Sequence, residues 1–360
     1  MSLFYRNILR PFLFQFDSEK IHNFTLDQLS KASLSLNTHR LVERFYQPAE
    51  MEVQLFGLTF PNPVGLAAGM DKRAAALPIW YRFGFGFSEV GGVTLHPQPG
   101  NPTPRMFRIV EDEALVNRMG FNNGGAAAMA EMLQKWKRKG LWPAHPVGIN
   151  LGKSKITPIE EAASDYLGSF RLLKNLADFF VINVSSPNTP NLRQLQDKDA
   201  LDKILSAIQF ENTTSKKPIL VKVAPDLTFT ALDDILELVQ QHRLAGIVAT
   251  NTSIARPDSR EKNYAETGGM SGRPLASMST EVIRHLYRQS KGTVPIIGVG
   301  GIFSADDAWE KFKAGASLVQ VYSGLVYEGP SIAKEIVTGL RQNLEQVGAT
   351  CITEIVGTGA

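Results

Sequence analysis

The sequence predicts an α/β protein, a closed (β/α)8 (TIM) barrel preceded by an N-terminal helical extension and a short β-hairpin. Two observations carry this. Eight short apolar runs rich in Val and Ile recur at Val64–Ala68, Gly86–Val93, Val147–Leu151, Phe179–Val184, Ile219–Val223, Gly246–Thr250, Pro295–Val299 and Leu318–Tyr322. They are nearly continuous, as strands buried on both faces must be. Longer amphipathic stretches lie between them, for example 123–139, 159–175, 229–242, 279–290 and 304–313. Eight such β-α units are the arithmetic of a closed barrel, with a doubly wound open sheet as the competing arrangement.

Taken in order, residues 1–46 form an extension and 47–360 the barrel domain, because the only shift in composition falls near residue 47. The extension holds Phe4, Tyr5, Phe12, Phe14, Phe16, Phe24, Phe45 and Tyr46, about twice the aromatic density of the whole chain. Arg6 and Arg10 interrupt its apolar stretch, and no small-residue cleavage site follows, so it lacks the layout of a signal peptide. Residues 51–63 alternate loosely around Gly57 and read as a hairpin. In the barrel, Ser304 with Asp307 three positions on marks a helix start. Segments 94–122 and 252–278 are long loops after strands, where such barrels build their sites.

Composition excludes several classes. The 38 Lys and Arg against 35 Asp and Glu leave a formal +3, too small and too dispersed for a dedicated nucleic-acid binder. The lone Cys351 rules out a disulfide framework and any multi-cysteine metal or iron–sulfur site. The six histidines are scattered without metal-ligand spacing, and no P-loop or GxSxG elbow occurs. No apolar run is long enough for a transmembrane helix.

Polar residues gather at the strand ends. The first strand runs into Ala67-Ala68-Gly69-Met70-Asp71-Lys72, where small residues admit a flat ring and Lys72 can meet an anion; a tight turn with a solvated lysine is the plainer reading. Asn117-Arg118-Met119-Gly120-Phe121-Asn122-Asn123 could cap a helix or read the edges of a planar ligand. Asn150, Asn183, the Ser185–Asn191 turn, Lys222 and Thr250-Asn251-Thr252 follow at successive strands. Each amide alone suits a capped turn; their recurrence at one end of the barrel is harder to assign to capping. A lysine amid buried positions, as at Lys222, needs a counter-charge that a ligand could provide. Gly298-Val299-Gly300-Gly301 and Tyr322-Ser323-Gly324, after strands seven and eight, have the composition of a phosphate grip.

In this order the blocks AAGMDK, PQPGNPTPRMFR, NRMGFNN, NVSSPNTP, VKVAPDL, TNTS, GGMSGRPL, GVGGI and QVYSG make the chain resemble the class 2, quinone-dependent dihydroorotate dehydrogenases over nearly its whole length. The resemblance implies FMN, one per chain, and oxidation of dihydroorotate to orotate in pyrimidine biosynthesis. It implies FMN contacts at Ala67, Ala68, Gly69, Thr94, Asn150, Asn183, Lys222, Thr250, Gly272, Gly301, Tyr322 and Ser323. Substrate contacts would be Lys72, the Asn117-Arg118-Met119-Gly120-Phe121 strip, Asn183, Asn188, Asn251 and Thr252. Ser186 would be the catalytic base, with Thr189 a relay for its proton. A serine rather than a cysteine base, together with the extension, marks class 2.

By the same resemblance His22, Arg108 and Tyr322 line a quinone site, and the extension touches the membrane surface through Phe4, Tyr5, Phe12, Phe14 and Phe16 with Arg6 and Arg10. The implied location is peripheral, on the cytoplasmic side of a bacterial inner membrane. No metal, nucleic acid or iron–sulfur partner subunit is expected. Two departures stand out: Gly92, where relatives often carry Thr or Ser, and Arg73-Ala74-Ala75-Ala76, less acidic than the family pattern. The rivals are another FMN barrel using NAD or oxygen, and a catalytically silent barrel that binds a phosphorylated metabolite.

Overall fold

A computed structural model describes residues 2–189 and 191–360; Pro190 of the NVSSPNTP block lies outside them. Its centre is a closed barrel of eight strands: Val64–Leu66, Phe87–Val93, Val147–Leu151, Phe179–Asn183, Ile219–Val223, Gly246–Ala249, Ile296–Val299 and Leu318–Val321. All neighbours pair in parallel, and the eighth closes on the first through Val319–Val64 and Val321–Leu66. The open-sheet alternative is therefore excluded. Every residue of these strands is buried. That explains their continuous apolar lettering, since the barrel fills one face and the surrounding helices cover the other.

The outer helices begin and end on local chemistry. Ala305–Lys313 opens with the expected capping box, in which the Ser304 side chain accepts from the Asp307 backbone and Asp307 answers. Lys198–Ser215 is capped by Asp197, and Phe229–Gln241 by Thr228. The hairpin pairs Val53–Leu55 with Leu58–Phe60 around Phe56 and Gly57, both at positive φ.

The two long segments are not plain loops. Met106–Ile109 and Ala114–Asn117 from the first, with Gly269–Gly272 from the second, form one antiparallel three-stranded sheet. Segments that follow the second and sixth barrel strands are thus held together as one rigid wall. Tyr327 fixes it to the barrel, donating its hydroxyl to the carbonyls of Ile109 and Ala114.

The extension is a series of helical segments between Ser2 and Tyr46, with main helices Ser18–Ala32 and Leu36–Tyr46 and a π-helical stretch at Tyr5–Leu9, broken by turns at 14–17 and 33–35. Asp17 and Ser35 cap the two long helices. Its first turns dock through polar contacts: Tyr5 Oη donates to Val326 O at 2.8 Å, Arg10 Nη1 to Tyr327 O at 3.0 Å, and Arg6 pairs with Glu328. This corrects the grouping of aromatics and arginines as one outward set. Phe4, Phe12 and Phe16 are exposed, but Tyr5 and Phe14 turn inward and both arginines are spent on the barrel. Among the described residues no helix is long and apolar enough to cross a membrane.

Candidate active site

The barrel mouth at the strand C-termini opens into a polar cavity. It is lined by residues from the first strand end (Ala67–Gly69, Lys72), Asn117 and Met119–Phe121 of the strip, Asn150, Asn183, Ser186, Asn188, Lys222, Thr250–Thr252, Gly272, Gly301, Tyr322 and Ser323. The barrel end gathers residues spread over more than 250 positions because parallel strands bring every C-terminus to one face.

A hydrogen-bond chain crosses the floor of this cavity. Gln320 Nε2 and Asn150 Nδ2 each donate to Glu89, both at 2.6 Å. Asn183 Nδ2 donates to Asn150 Oδ1 at 2.8 Å, and Asn183 Oδ1 accepts from Asn251 Nδ2 and from Ser185 Oγ. Glu89, buried in the second strand, thus anchors amides from the third and eighth strands. Neither Glu89 nor Gln320 is singled out by the sequence, because both sit inside apolar strand runs and their partners are remote in the chain. The amides that looked like free ligand contacts partly hold one another, which orients them without water.

What the network leaves free points into the cavity. Gln320 Oε1 and Asn188 Oδ1 are buried acceptors with no donor among the described residues. Lys222 is buried, and desolvation pushes its ammonium below the usual lysine range while Glu89 opposes the shift. A ligand with N–H donors and an anionic edge would complement these three groups. Opposite them, Gly301 has φ +70°, and a Cβ there would lie 2.4–2.7 Å from Ala276; Gly324 would place one 2.2 Å from Ile302 O. Both positions are therefore glycine because neighbouring segments leave no room for a side chain, and with Gly300 and Ser323 they line the cavity at the ends of strands seven and eight, a composition suited to a phosphate. Donors, acceptors and cradle fit a flavin nucleotide.

Ser186 lies in the turn after the fourth strand, 7% exposed, with Asn188 N donating to its Oγ at 3.3 Å. Asn188 Nδ2 donates to Asn117 Oδ1 at 3.1 Å, so the strip and the turn face each other across the cavity. Lys72 Nζ donates to Asn122 Oδ1 at 2.6 Å; burial first, and then Arg105, lowers its pKa to about 7, with Glu19 opposing. Thr189 Oγ1 is buried with no partner among the described residues, beside the turn and outside the cavity lining.

Two expected contacts face elsewhere. Thr94 donates to His96 O at 2.6 Å and accepts from Asn123 Nδ2, and it does not line the cavity. Arg118 turns outward, paired with Glu266 at 2.6 Å and lying over the Phe107 ring. Within an alternating strand-like strip, neighbours of inward residues point out. At the Gly92 departure, a Cβ would sit 2.4 Å from the Phe121 ring, so here the phenyl occupies the volume a larger residue would need. Ala74 and Ala76 are fully buried, and the Ala74 carbonyl accepts from Trp136 Nε1 at 2.7 Å, an environment that disfavours acidic side chains.

A second cavity, apolar, opens between the extension and the barrel. His22, Arg108 and Tyr322 line it with Tyr5, Leu13 and Phe14. Arg108 donates to Phe14 O and Phe16 O, both at 2.9 Å, and stacks on the Phe14 ring. Burial, reinforced by Lys72, pushes the His22 imidazole down to about 4 and keeps it neutral. Tyr322 lines both cavities and forms the partition between them. Among the described residues no cluster of side chains could hold a metal ion.

Residues 50–344 match the family model described as dihydroorotate dehydrogenase. The chain is 52% identical over 351 residues to a dihydroorotate dehydrogenase (quinone) of Gloeobacter violaceus, covering 97% of this chain and 98% of that one. It is 52% identical over 368 residues to the enzyme of that name from Nostoc punctiforme, covering 98% and 97%. Among solved structures it is similar to Eimeria tenella DHODH in complex with ferulenol, with a TM-score of 0.84, 37% identity and 95% of each chain covered.

Proposed function

The chain belongs to the dihydroorotate dehydrogenase family, and from that premise we infer that it oxidises dihydroorotate to orotate with a quinone as electron acceptor. The observation that carries this reading is the pair of cavities, one polar and one apolar, that share Tyr322 as their wall. A two-step redox enzyme needs one site for a polar anion and another for a lipid-soluble acceptor.

We propose FMN as the cofactor. Lys222, Gln320 and Asn150 would hold its ring, and the backbone at Gly301, Ser323 and Gly324 its phosphate. When bound, the flavin supplies the hydride acceptor. Lys222 provides a fixed positive charge beside it, in a site too dry for water to do so.

Lys72 would hold the dihydroorotate carboxylate; the anion favours the charged ammonium and so reverses the effect of burial. Asn117, Asn188, Asn251 and Thr252 would read the ring's amide edges. Ser186 Oγ would take the proton from ring C5. A hydroxyl is a weak base and must pass that proton on, and the unpartnered Thr189 hydroxyl is suited to relay it toward solvent.

On the other side, the apolar cavity beside Tyr5, Leu13 and Phe14 would admit the quinone, with His22 and Arg108 as its polar groups. The exposed Phe4, Phe12, Phe16 and Phe24 would rest the extension on a membrane surface, placing the enzyme as a peripheral protein on the cytoplasmic side of a bacterial inner membrane.

Anaerobic addition of dihydroorotate to the purified protein tests the reading. The flavin absorbance should bleach promptly and recover on adding a quinone. A flavin that stays oxidised, or recovers with NAD but not with quinone, would overturn it.

A further inference from the structure

The first turn of the helix Ser18–Ala32 reaches past the apolar cavity to the wall of the polar one. Glu19 accepts three hydrogen bonds from Arg105: Nε to Oε1 at 3.1 Å, Nε to Oε2 at 2.9 Å and Nη2 to Oε1 at 2.6 Å. The two side chains are only 14% and 11% exposed, so this is a shielded, multidentate pair rather than a surface contact. The remaining guanidinium nitrogen, Nη1, donates to Pro99 O and Asn101 O, both at 2.7 Å.

Asn101 continues the connection. Its Nδ2 donates to Asn188 O at 3.0 Å and to Arg118 O at 2.9 Å, and its backbone N–H donates to Met119 O at 3.1 Å. Arg118 N in turn donates to Arg105 O at 2.9 Å. The packing leaves no slack. A Cβ on Gly100 would fall 2.3 Å from Met119 O, and one on Gly120 2.8 Å from Asn101. Both faces of the polar cavity that carry Asn117 and Asn188 are therefore fastened to one loop, residues 99–105, and that loop is fastened to the extension at Glu19.

We propose that Glu19 and Arg105 are a positioning pair for the dihydroorotate site, by which the docked extension fixes the Asn117 and Asn188 amides and balances the charge beside Lys72. Neither residue belongs to the lining of either cavity. The proposal rests on the dihydroorotate reading of the polar cavity. Its consequence is that the extension acts on the first half-reaction as well as on the quinone side.

The electrostatics run the same way. The charged groups acting on Lys72 are Arg105 and Glu19, of opposite sign, and Lys72 itself acts on His22, one turn on from Glu19 in the same helix. Neutralising Glu19 leaves the Arg105 guanidinium unopposed, so Lys72 gives up its proton at lower pH and grips a carboxylate less well.

The test is Glu19→Gln in the full-length holoenzyme, followed by anaerobic flavin bleaching over a range of dihydroorotate concentrations at pH 6 and pH 8. The half-saturating concentration should rise about tenfold at pH 8, the scale of one charged hydrogen bond, and rise less at pH 6. Arg105→Gln should weaken substrate without the added pH dependence, and the double variant should be no worse than the worse single one, because the two act as a unit. Hydrogen exchange should quicken in residues 99–105 and 117–123. Glu19→Gln with parental half-saturation and unchanged exchange in those segments overturns the proposal, even if quinone turnover falls. Should Glu19→Gln not fold, Asn101→Ala cuts the link while keeping the ion pair, and unchanged half-saturation there is equally fatal. A parent enzyme that dihydroorotate fails to bleach would sink the family activity alone; exchange in residues 99–105 and 117–123 then decides the coupling, and exchange unchanged by Glu19→Gln overturns it.

Discussion

Ser186 has few means of being a base. Among the described residues its hydroxyl hydrogen-bonds no histidine or carboxylate, only the Asn188 backbone N–H at 3.3 Å. Its contribution must come from placement over the substrate ring and from passing its proton onward. Ser186→Ala should keep flavin bound yet slow anaerobic flavin reduction by about 100- to 10,000-fold, the usual span for a general base. Ser186→Cys should retain partial activity with a lower pH optimum, since a thiol ionises more readily than a hydroxyl. If Ser186→Ala bleaches as fast as the parent at saturating dihydroorotate, the base lies elsewhere, and Ser185 and Thr189 are the next candidates.

At the scale of elements, the long helices of the extension pack on the core through Leu26, Leu29, Val42 and Tyr46, while its first turns are held by directed bonds. Arg108 is the clearest case. It reaches from the three-stranded sheet to the carbonyls of Phe14 and Phe16, where the short helix Arg10–Leu13 ends, and covers the Phe14 ring. Arg108→Ala removes two charged hydrogen bonds, each worth about 1.5–3 kcal/mol when well shielded and less at its half-exposed position. Quinone turnover should fall at least about tenfold while flavin reduction by dihydroorotate stays within about twofold, because the substrate contacts lie across Tyr322. Steady-state quinone kinetics set beside single-turnover bleaching separates the two. Equal losses in both half-reactions would mean that the sheet, and not the quinone cavity, depends on Arg108.

The whole molecule carries a pH signature in its buried histidines. His145 sits between the Phe85 carbonyl at 2.7 Å and Ser88 Oγ at 3.1 Å, and burial lowers its pKa to about 4. Unfolded, the same imidazole titrates near 6.5, so between those values the unfolded chain binds the extra proton. Stability from this site is complete above about pH 6.5 and is lost as pH falls toward 4, on the order of 3 kcal/mol across the window. Urea unfolding from pH 7 to pH 4 should show that loss, and His145→Gln, whose amide cannot take up a proton here, should lose less. Parallel curves for the two proteins would show that His145 does not contribute.

Much of this protein is legible in one dimension. Eight apolar runs at barrel spacing are visible because a strand buried on both faces can have almost no other lettering. The strand-end blocks are visible because glycines, amides and lysines are out of place beside such runs. Which of those polar groups face one another is decided only by the closed barrel. Glu89 reads as a stray charge in an apolar strand until closure brings Asn150 and Gln320 to it, from 61 and 231 positions away. The lettering of Thr94 and Arg118 matches that of residues that do line the cavity, yet the fold turns them away. The segments 94–122 and 252–278 show only their length; that they zip into one sheet depends on pairing across about 150 residues, which no local pattern encodes. The link from Glu19 through Arg105 to the substrate amides is tertiary for the same reason. Sequence sets what each residue can do, and the barrel's parallel closure, by bringing eight strand ends to one rim, sets whom it does it with.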